Sequence, residues 1–417
     1  MSPESLSQQL RDARRRTRLV TCDLEGPQLF GPKLAIVNPV LWELGHVAWF
    51  QELWCLRMRS DESLSESVLE GADALYDSAK VAHDTRWDLP LPELSATLSY
   101  QDRVLDRVLA RLEREPDNEW FLYFVQLALF HEDMHAEAFH YTRQTLGYSD
   151  PLDRDGAGKG ALDGDVELRG GEFLLGATRN SGFHFDNEKW AHKVELRTFR
   201  IARAPVTNSQ FLEFVRDEGY QRRELWSPEG WSWKDRAPAP RYWVEHDGEW
   251  RERRFDKEVR LDGDLPVMHV NWHEANAYCR YAGRRLPSEA EWEVAASFCG
   301  DGRRRYPWGD SAVNAVPANL GRSGRVPVGE FGQGDSLAGC RQMLGNVWEW
   351  TSSTFGPYPD FVRDPYAEYS EPWFGTHKVL RGGSFATPAR LISNTWRNFY
   401  TPDRGDVFAG FRTCAPE

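Results

Sequence analysis

Residues 121–135 read Phe-Leu-Tyr-Phe-Val-Gln-Leu-Ala-Leu-Phe-His-Glu-Asp-Met-His. An almost wholly apolar run leads straight into His131-Glu132-Asp133-Met134-His135. The whole segment from Asn118 to Leu146 predicts one long helix, ended by Gly147. Such a helix is buried, so the polar residues on it need partners. Positions i and i+4 share a helix face, so the imidazoles of His131 and His135 can point at one metal ion. They can also be hydrogen-bonded core histidines, and spacing alone does not separate the two. His140 lies five residues past His135, about 140° around the helix, and is left out of the set.

Working outward, Ser5 to Leu19 reads as a polar helix. Pro39 to Met58 carries Leu41, Leu44, Val47 and Ala48 at helical spacing, then Leu53 and Leu56. Asn38 is its expected cap and Pro39 its first helical position. Leu94 to Glu115 opens with a cap signal at Ser95 and Thr97. Four helices in residues 1–150 predict an up-and-down bundle with one long crossover. Facing helices of a bundle project side chains into one core, so His46, in Trp42-Glu-Leu-Gly-His46, can join His131 and His135 as a third ligand. Neutral imidazoles suit Zn, Fe, Cu or Ni, so the donor set does not choose the metal.

Residues 151–165 are rich in Gly and Asp and read as a linker. In 166–417 the texture changes to short apolar runs broken by Gly, Pro, Asn and Asp. Helices stand out at Asn208 to Glu218, at Trp272 to Gly283, and after Ser288, where Glu291 completes a capping box. The fold class expected is α+β: a helical bundle followed by a loop-rich second domain.

The 417 residues are 41% hydrophobic and 13% aromatic, enough for sizeable cores and incompatible with a disordered chain. Lys plus Arg is 51 against 64 for Asp plus Glu, a net charge of −13. That disfavours nucleic-acid binding. No apolar run is long enough for a membrane span. The N-terminus lacks an apolar signal core; Arg14 to Arg16 are interspersed with acidic neighbours such as Glu4 and Asp12. Six scattered cysteines without a CxxC pair point to a reducing, cytoplasmic setting. No obligate protein partner is evident.

His131 to His135 also match the zincin pattern H-E-x-x-H, in which Glu132 would be a general base of a zinc hydrolase. That reading needs a third ligand downstream, where residues 136–147 offer only Glu137 and His140, and it leaves His46 unexplained.

The second half carries Pro205-Val-Thr-Asn208, Pro266-Val-Met-His-Val-Asn-Trp272, Arg285-Leu-Pro-Ser-Glu-Ala-Glu-Trp292, Gly345-Asn-Val-Trp-Glu-Trp350, Leu380-Arg-Gly-Gly-Ser384 and Phe408-Ala-Gly-Phe-Arg412. In this order they resemble the formylglycine-generating-enzyme fold, which is similar to a C-type-lectin-like domain. Most read as structural: Gly for left-handed turns and Trp as core mass. The family's catalytic cysteine pair has no match in 394–402, and Cys414 reads as packing. Copper-thiolate chemistry is therefore not expected.

The first half resembles a DinB-like four-helix bundle. The two together resemble the ergothioneine sulfoxide synthases and selenoneine synthases. That resemblance implies an Fe(II) site on His46, His131 and His135, with the second domain completing the pocket. It also implies O2-dependent bonding of sulfur or selenium to C2 of the hercynine imidazole. Asn398 and Phe399 match the residues placed against the trimethylammonium group, Phe399 standing where Trp is usual. Tyr366 and Tyr369 resemble the family's tyrosine pair; Tyr366 is assigned as proton donor and Tyr369 as a pocket wall, with Tyr369 and Tyr358 the other candidate donors.

Two departures bear on the donor. Met134 stands where the ergothioneine branch commonly has a Gln that bonds substrate. The segment with Arg86, Trp87 and Asp88 lacks that branch's Arg-rich character and suits a sugar better than an anionic thiol such as cysteine or γ-glutamylcysteine. The expected function is selenoneine synthesis from a selenosugar. The alternatives are an ergothioneine-type synthase, a zinc hydrolase and a non-enzymatic binding module.

Overall fold

The computed structural model describes residues 2–59, 61, 63–151, 160–179, 181–234, 237–298, 302–310 and 317–416. The chain divides into two compact units, Met1–Leu152 and Asp153–Glu417. The expected linker 151–165 falls largely outside the described residues, and the first strand already begins at Asp165.

The first unit is helical: α1 Pro3–Thr21, α2 Val40–Glu52, a short α3 Ala72–Tyr76, α4 Leu94–Arg114 and α5 Glu119–Leu146. Leu6, Leu10, Ala13, Thr17 and Val20 form the buried stripe of α1. The Asn118 side chain accepts the Phe121 N–H at 3.1 Å and starts α5. Gly147, with φ of 68°, ends it.

Contacts between helices fix their directions. Arg14 of α1 meets Glu132, and Arg143 further along α5 donates to the Val20 carbonyl, so α1 and α5 run parallel. The Cys55 thiol meets the Phe124 carbonyl, while Leu41 and Leu44 share a cluster with Phe139, so α2 is antiparallel to α5. Gln101 donates to the Leu44 carbonyl and Arg111 to that of Cys55, so α2 and α4 are parallel. The order is thus up-down-down-up, the one long crossover expected lying between α2 and α4. Residues 58–93 are long enough to carry the chain back along the bundle before α4 begins.

Local boundaries differ for clear reasons. Pro39 takes the cap position and Val40 the first helical one. After α2 the chain makes one π-helical turn, Leu53–Arg57, which apolar spacing cannot distinguish from α-helix. Ser95 and Thr97 lie inside α4; Glu93 holds the cap position, and the Thr97 hydroxyl instead donates to the Pro92 carbonyl.

The second unit is loop-rich. Strands β1 Asp165–Leu168 and β4 Phe199–Ala202 pair, as do β2 Gly171–Leu175 and β3 His192–Leu196. Strands β5 Trp243–His246, β6 Glu249–Arg254 and β7 Lys257–Arg260 form a meander. The central sheet has order β10-β9-β8-β11, with β8 Trp348–Thr354, β9 Lys378–Arg381, β10 Asn398–Tyr400 and β11 Ala409–Gly410. Helices α6 Asn208–Arg216, α8 Trp272–Tyr281 and α9 Glu289–Ser297 lie where expected. The short α7 Pro228–Lys234 lacked an apolar period to announce it.

The quoted motifs fasten this unit. Arg412 clamps the Glu349 carboxylate at 2.6 and 2.7 Å, and the Trp292 indole N–H donates to it at 2.8 Å. Gly345, at φ of 84°, has no room for a side chain: a Cβ would stand 2.4 Å from the Asn319 carbonyl oxygen.

Candidate metal centre and aromatic cluster

His46 of α2 and His131 and His135 of α5 converge, with one nitrogen of each within 4.8 Å of the others. The antiparallel packing of α2 on α5 brings them together. His46 and His131 are buried; His135 is the accessible member, with 18% of its side chain exposed. Burial, and then the neighbouring His135, hold the His46 and His131 pKa values well below the usual imidazole range. Both rings are neutral at physiological pH, as a metal ligand must be.

Each ring is oriented by a second contact. His46 Nδ1 donates to the Tyr76 carbonyl at 2.8 Å, and His135 Nδ1 donates to Glu43 at 2.6 Å. With Nδ1 so occupied, Nε2 is the atom each of these two rings can offer a metal. The His131 ring stacks on Phe50 at 3.6 Å and 7°. The Nε2 atoms of His131 and His135 are 3.2 Å apart. That is close to the edge of a coordination polyhedron with bonds of about 2.1 Å. The residues present therefore fit a divalent transition metal.

Sequence reasoning missed Glu43, Gly45 and Tyr76. The signal for Glu43 was present: an acidic residue in the apolar opening turns of a buried helix, three positions before a histidine, requires a partner. Gly45 lets Tyr76 lie against α2, since a Cβ there would stand 2.2 Å from the Tyr76 ring. His140 is buried outside the trio, its pKa pushed down to about 3 by burial. Glu132 is committed elsewhere: both its oxygens bond Arg14 of α1, at 2.7 and 3.3 Å. A carboxylate held so in a buried ion pair is not poised as a general base, which removes the support for a zincin reading.

The crossover residues separate. Arg86 turns inward, donating to Asn38 at 2.7 Å and to the Val81 carbonyl at 3.2 Å, with its guanidinium 3.9 Å from the Trp42 ring centre. Trp87 donates its indole N–H to the Phe30 and Gly31 carbonyls. Asp88 faces solvent, 3.9 Å from Lys33. The three do not form one cluster. Met134 is half-buried beside His135 on α5.

In the second unit, Tyr366, Tyr369 and Phe399 gather with other aromatic rings. Tyr369 stacks on Phe185 at 4.2 Å, lies 5.9 Å from Tyr366 and meets Phe399 edge-on at 5.9 Å. Phe355 stacks on Phe399 at 4.0 Å. Asn398 sits on β10 opposite Leu380, its side-chain oxygen accepting the Phe399 N–H at 2.8 Å. Tyr358 is buried under the Arg397 guanidinium, which also covers Phe355, and so stands behind this cluster. Burial, reinforced by Glu188 and Asp186, holds the Tyr369 phenol well above its usual pKa and keeps it protonated.

Residues 9–138 match the DinB superfamily, and residues 154–416 match the sulfatase-modifying factor enzyme 1-like domain. A hercynine oxygenase of Mycolicibacterium smegmatis is 37% identical over 427 residues, 98% of each chain. One from Mycolicibacterium thermoresistibile is 38% identical over 426 residues, 98% of this chain and 94% of the relative. A formylglycine-generating enzyme of Streptomyces coelicolor is 33% identical over 287 residues, 60% of this chain and 88% of its own. With relatives this similar along nearly their full length, the chain, a DinB-superfamily bundle followed by a sulfatase-modifying-factor-like unit, belongs to the hercynine oxygenase family.

Proposed function

We propose that the chain is an Fe(II)- and O2-dependent oxygenase that replaces the C2 hydrogen of the hercynine imidazole with selenium from a selenosugar. The observation that carries the oxygenase reading is the convergence of three imidazoles, two of them oriented by buried acceptors. His46, His131 and His135 would hold the iron. The iron supplies, when bound, a site where O2 is activated as the oxidant and where a selenol or thiol is held deprotonated.

The chain's own residues do the rest. Phe399 offers a π-face to a trimethylammonium group, braced from behind by Phe355, with Tyr369 closing one side. Asn398 contributes an amide on the same strand. The Tyr366 hydroxyl is the proton donor. Met134, a thioether, lines the site with no proton to donate in place of the amide usual there.

Selenium is favoured over a cysteine-type thiol by the crossover. The buried guanidiniums at its start and within it are engaged: Arg57, closing the π-helical turn, is paired with Asp73, and Arg86 bonds Asn38 and Val81. Neither is aimed at the carboxylates of an amino-acid donor. The ergothioneine-type alternative shares the hercynine substrate that the relatives' name carries.

The test is turnover of the full chain with Fe(II), O2 and hercynine, offered a selenosugar, cysteine or γ-glutamylcysteine, with products identified by mass. A hercynyl selenosugar adduct is expected. Adducts with cysteine or γ-glutamylcysteine alone would transfer the assignment to the sulfur branch. Failure with every donor would overturn the oxygenase reading.

A further inference from the structure

Arg86 lies in the crossover, far in sequence from the metal-binding histidines, and is 8% exposed. Its contacts lead to two of the three histidines by separate routes. Through one arm it donates to the Asn38 side-chain oxygen at 2.7 Å; the Asn38 amide faces Glu43 at 3.5 Å; and Glu43 accepts from His135 at 2.6 Å. By its face, Arg86 covers Trp42 at 3.9 Å, and Trp42 stacks on His46 at 4.9 Å and 9°. Glu43 is 2% exposed, and a buried carboxylate persists in charged form only with partners and a nearby counter-charge. Arg86 is that counter-charge: burial pulls its pKa down, and Glu43 opposes the effect.

We propose that Arg86 is a positioning residue of the metal centre, setting His135 through Asn38 and Glu43 and setting His46 through Trp42. The inference rests on the metal site proposed above and adds to it. The crossover supplies an outer layer of the site, although it contributes no ligand. Without Arg86, Asn38 loses its anchor and Glu43 its counter-charge, so the carboxylate is no longer held against His135 Nδ1. Trp42 loses its cover, and the His46 ring loses a fixed wall. A substituted Lys would keep the charge but not the planar stack or the forked donation to Asn38 and Val81.

The experiment titrates full-length apoprotein with Co(II) alone, reading affinity by calorimetry and ligand geometry by the visible d–d spectrum. Glu43→Gln is expected to weaken Co(II) binding about 10- to 100-fold, the range for an outer partner of a ligating histidine. Arg86→Met and Asn38→Ala are expected to weaken it about three- to tenfold, one step further out, and to shift the d–d band. Arg143→Met removes another buried arginine of the first unit, whose bonds run to Asp23, the Val20 carbonyl and Ser149 rather than toward the trio. It should leave affinity within about twofold and the band unchanged. Circular dichroism checks that each variant is folded. Arg86→Met and Asn38→Ala proteins with wild-type affinity and spectrum would overturn the proposal, as would an equal shift in Arg143→Met. If the unsubstituted protein takes up no Co(II), the metal site itself is refuted. Wild-type Co(II) uptake without hercynine turnover would instead leave the positioning role standing and remove the oxygenase reading.

Discussion

His46, His131 and His135 stand on two long helices of the first unit, and what surrounds them is itself rigid: the Tyr76 carbonyl, the Glu43 carboxylate and the Phe50 ring. Tyr366, Tyr369 and Phe399 stand on loops and a three-residue strand of the second unit, packed against Phe185, Phe355 and one another. The first arrangement tolerates little displacement, because each histidine is fixed by groups that are fixed in turn. The second depends on aromatic contacts, which constrain orientation less sharply. Metal ligation requires the first kind of support, whereas recognition of a diffuse cation is satisfied by the second.

The contrast can be broken at several points. Replacing His131 by Ala should abolish stoichiometric metal binding, measured on the purified protein by elemental analysis, while any of the aromatic substitutions should leave metal content intact. Arg14→Met strands the Glu132 carboxylate inside the bundle. It should cost about 3–5 kcal/mol in urea unfolding of the first unit, and Glu132→Gln alone should retain metal. Retained folding but lost metal in Glu132→Gln would instead revive a role for that carboxylate at the site. Gly45→Ala drives a methyl into the Tyr76 ring and should cost about 1–3 kcal/mol, with weaker metal binding because the Tyr76 carbonyl moves away from His46. The smallest effect is expected in the looser region. Phe399→Ala should weaken hercynine binding about two- to thirtyfold, the equivalent of roughly 0.5–2 kcal/mol of cation–π contact, with no change in metal affinity. A loss of metal in that variant would mean that the two regions are coupled.

Legibility in the sequence follows the same divide. Helix α5 was readable from Asn118 to Gly147, because a capping amide, an unbroken apolar stretch and a terminal glycine agree. The i, i+4 histidines and the glycine–tryptophan motifs of the second unit were equally plain. What was not readable depends on tertiary direction. The parallel run of α2 and α4 is set by a crossover whose path no periodicity encodes. Arg86 looked like a pocket residue because its neighbours Trp87 and Asp88 are polar or amphipathic; only the fold shows it turning inward over Trp42. Ser95 and Thr97 resemble caps by residue type, but the helix starts one residue before Ser95 and absorbs them. Glu43 was legible in principle, as a charge on a helix every other residue of which is buried.

The Arg14–Glu132 pair also has a consequence for how the protein is made. The two partners are 118 positions apart, on the first and last helices of the bundle. During synthesis on a ribosome, α1 emerges first and then waits, its buried-side arginine exposed, until α5 has cleared the exit tunnel. Closure of the bundle is therefore a late, long-range event. The nascent bundle depends until then on whatever shields its apolar stripe, and loss of the residues up to and including Arg14 would leave α5 with an uncompensated negative charge at its centre.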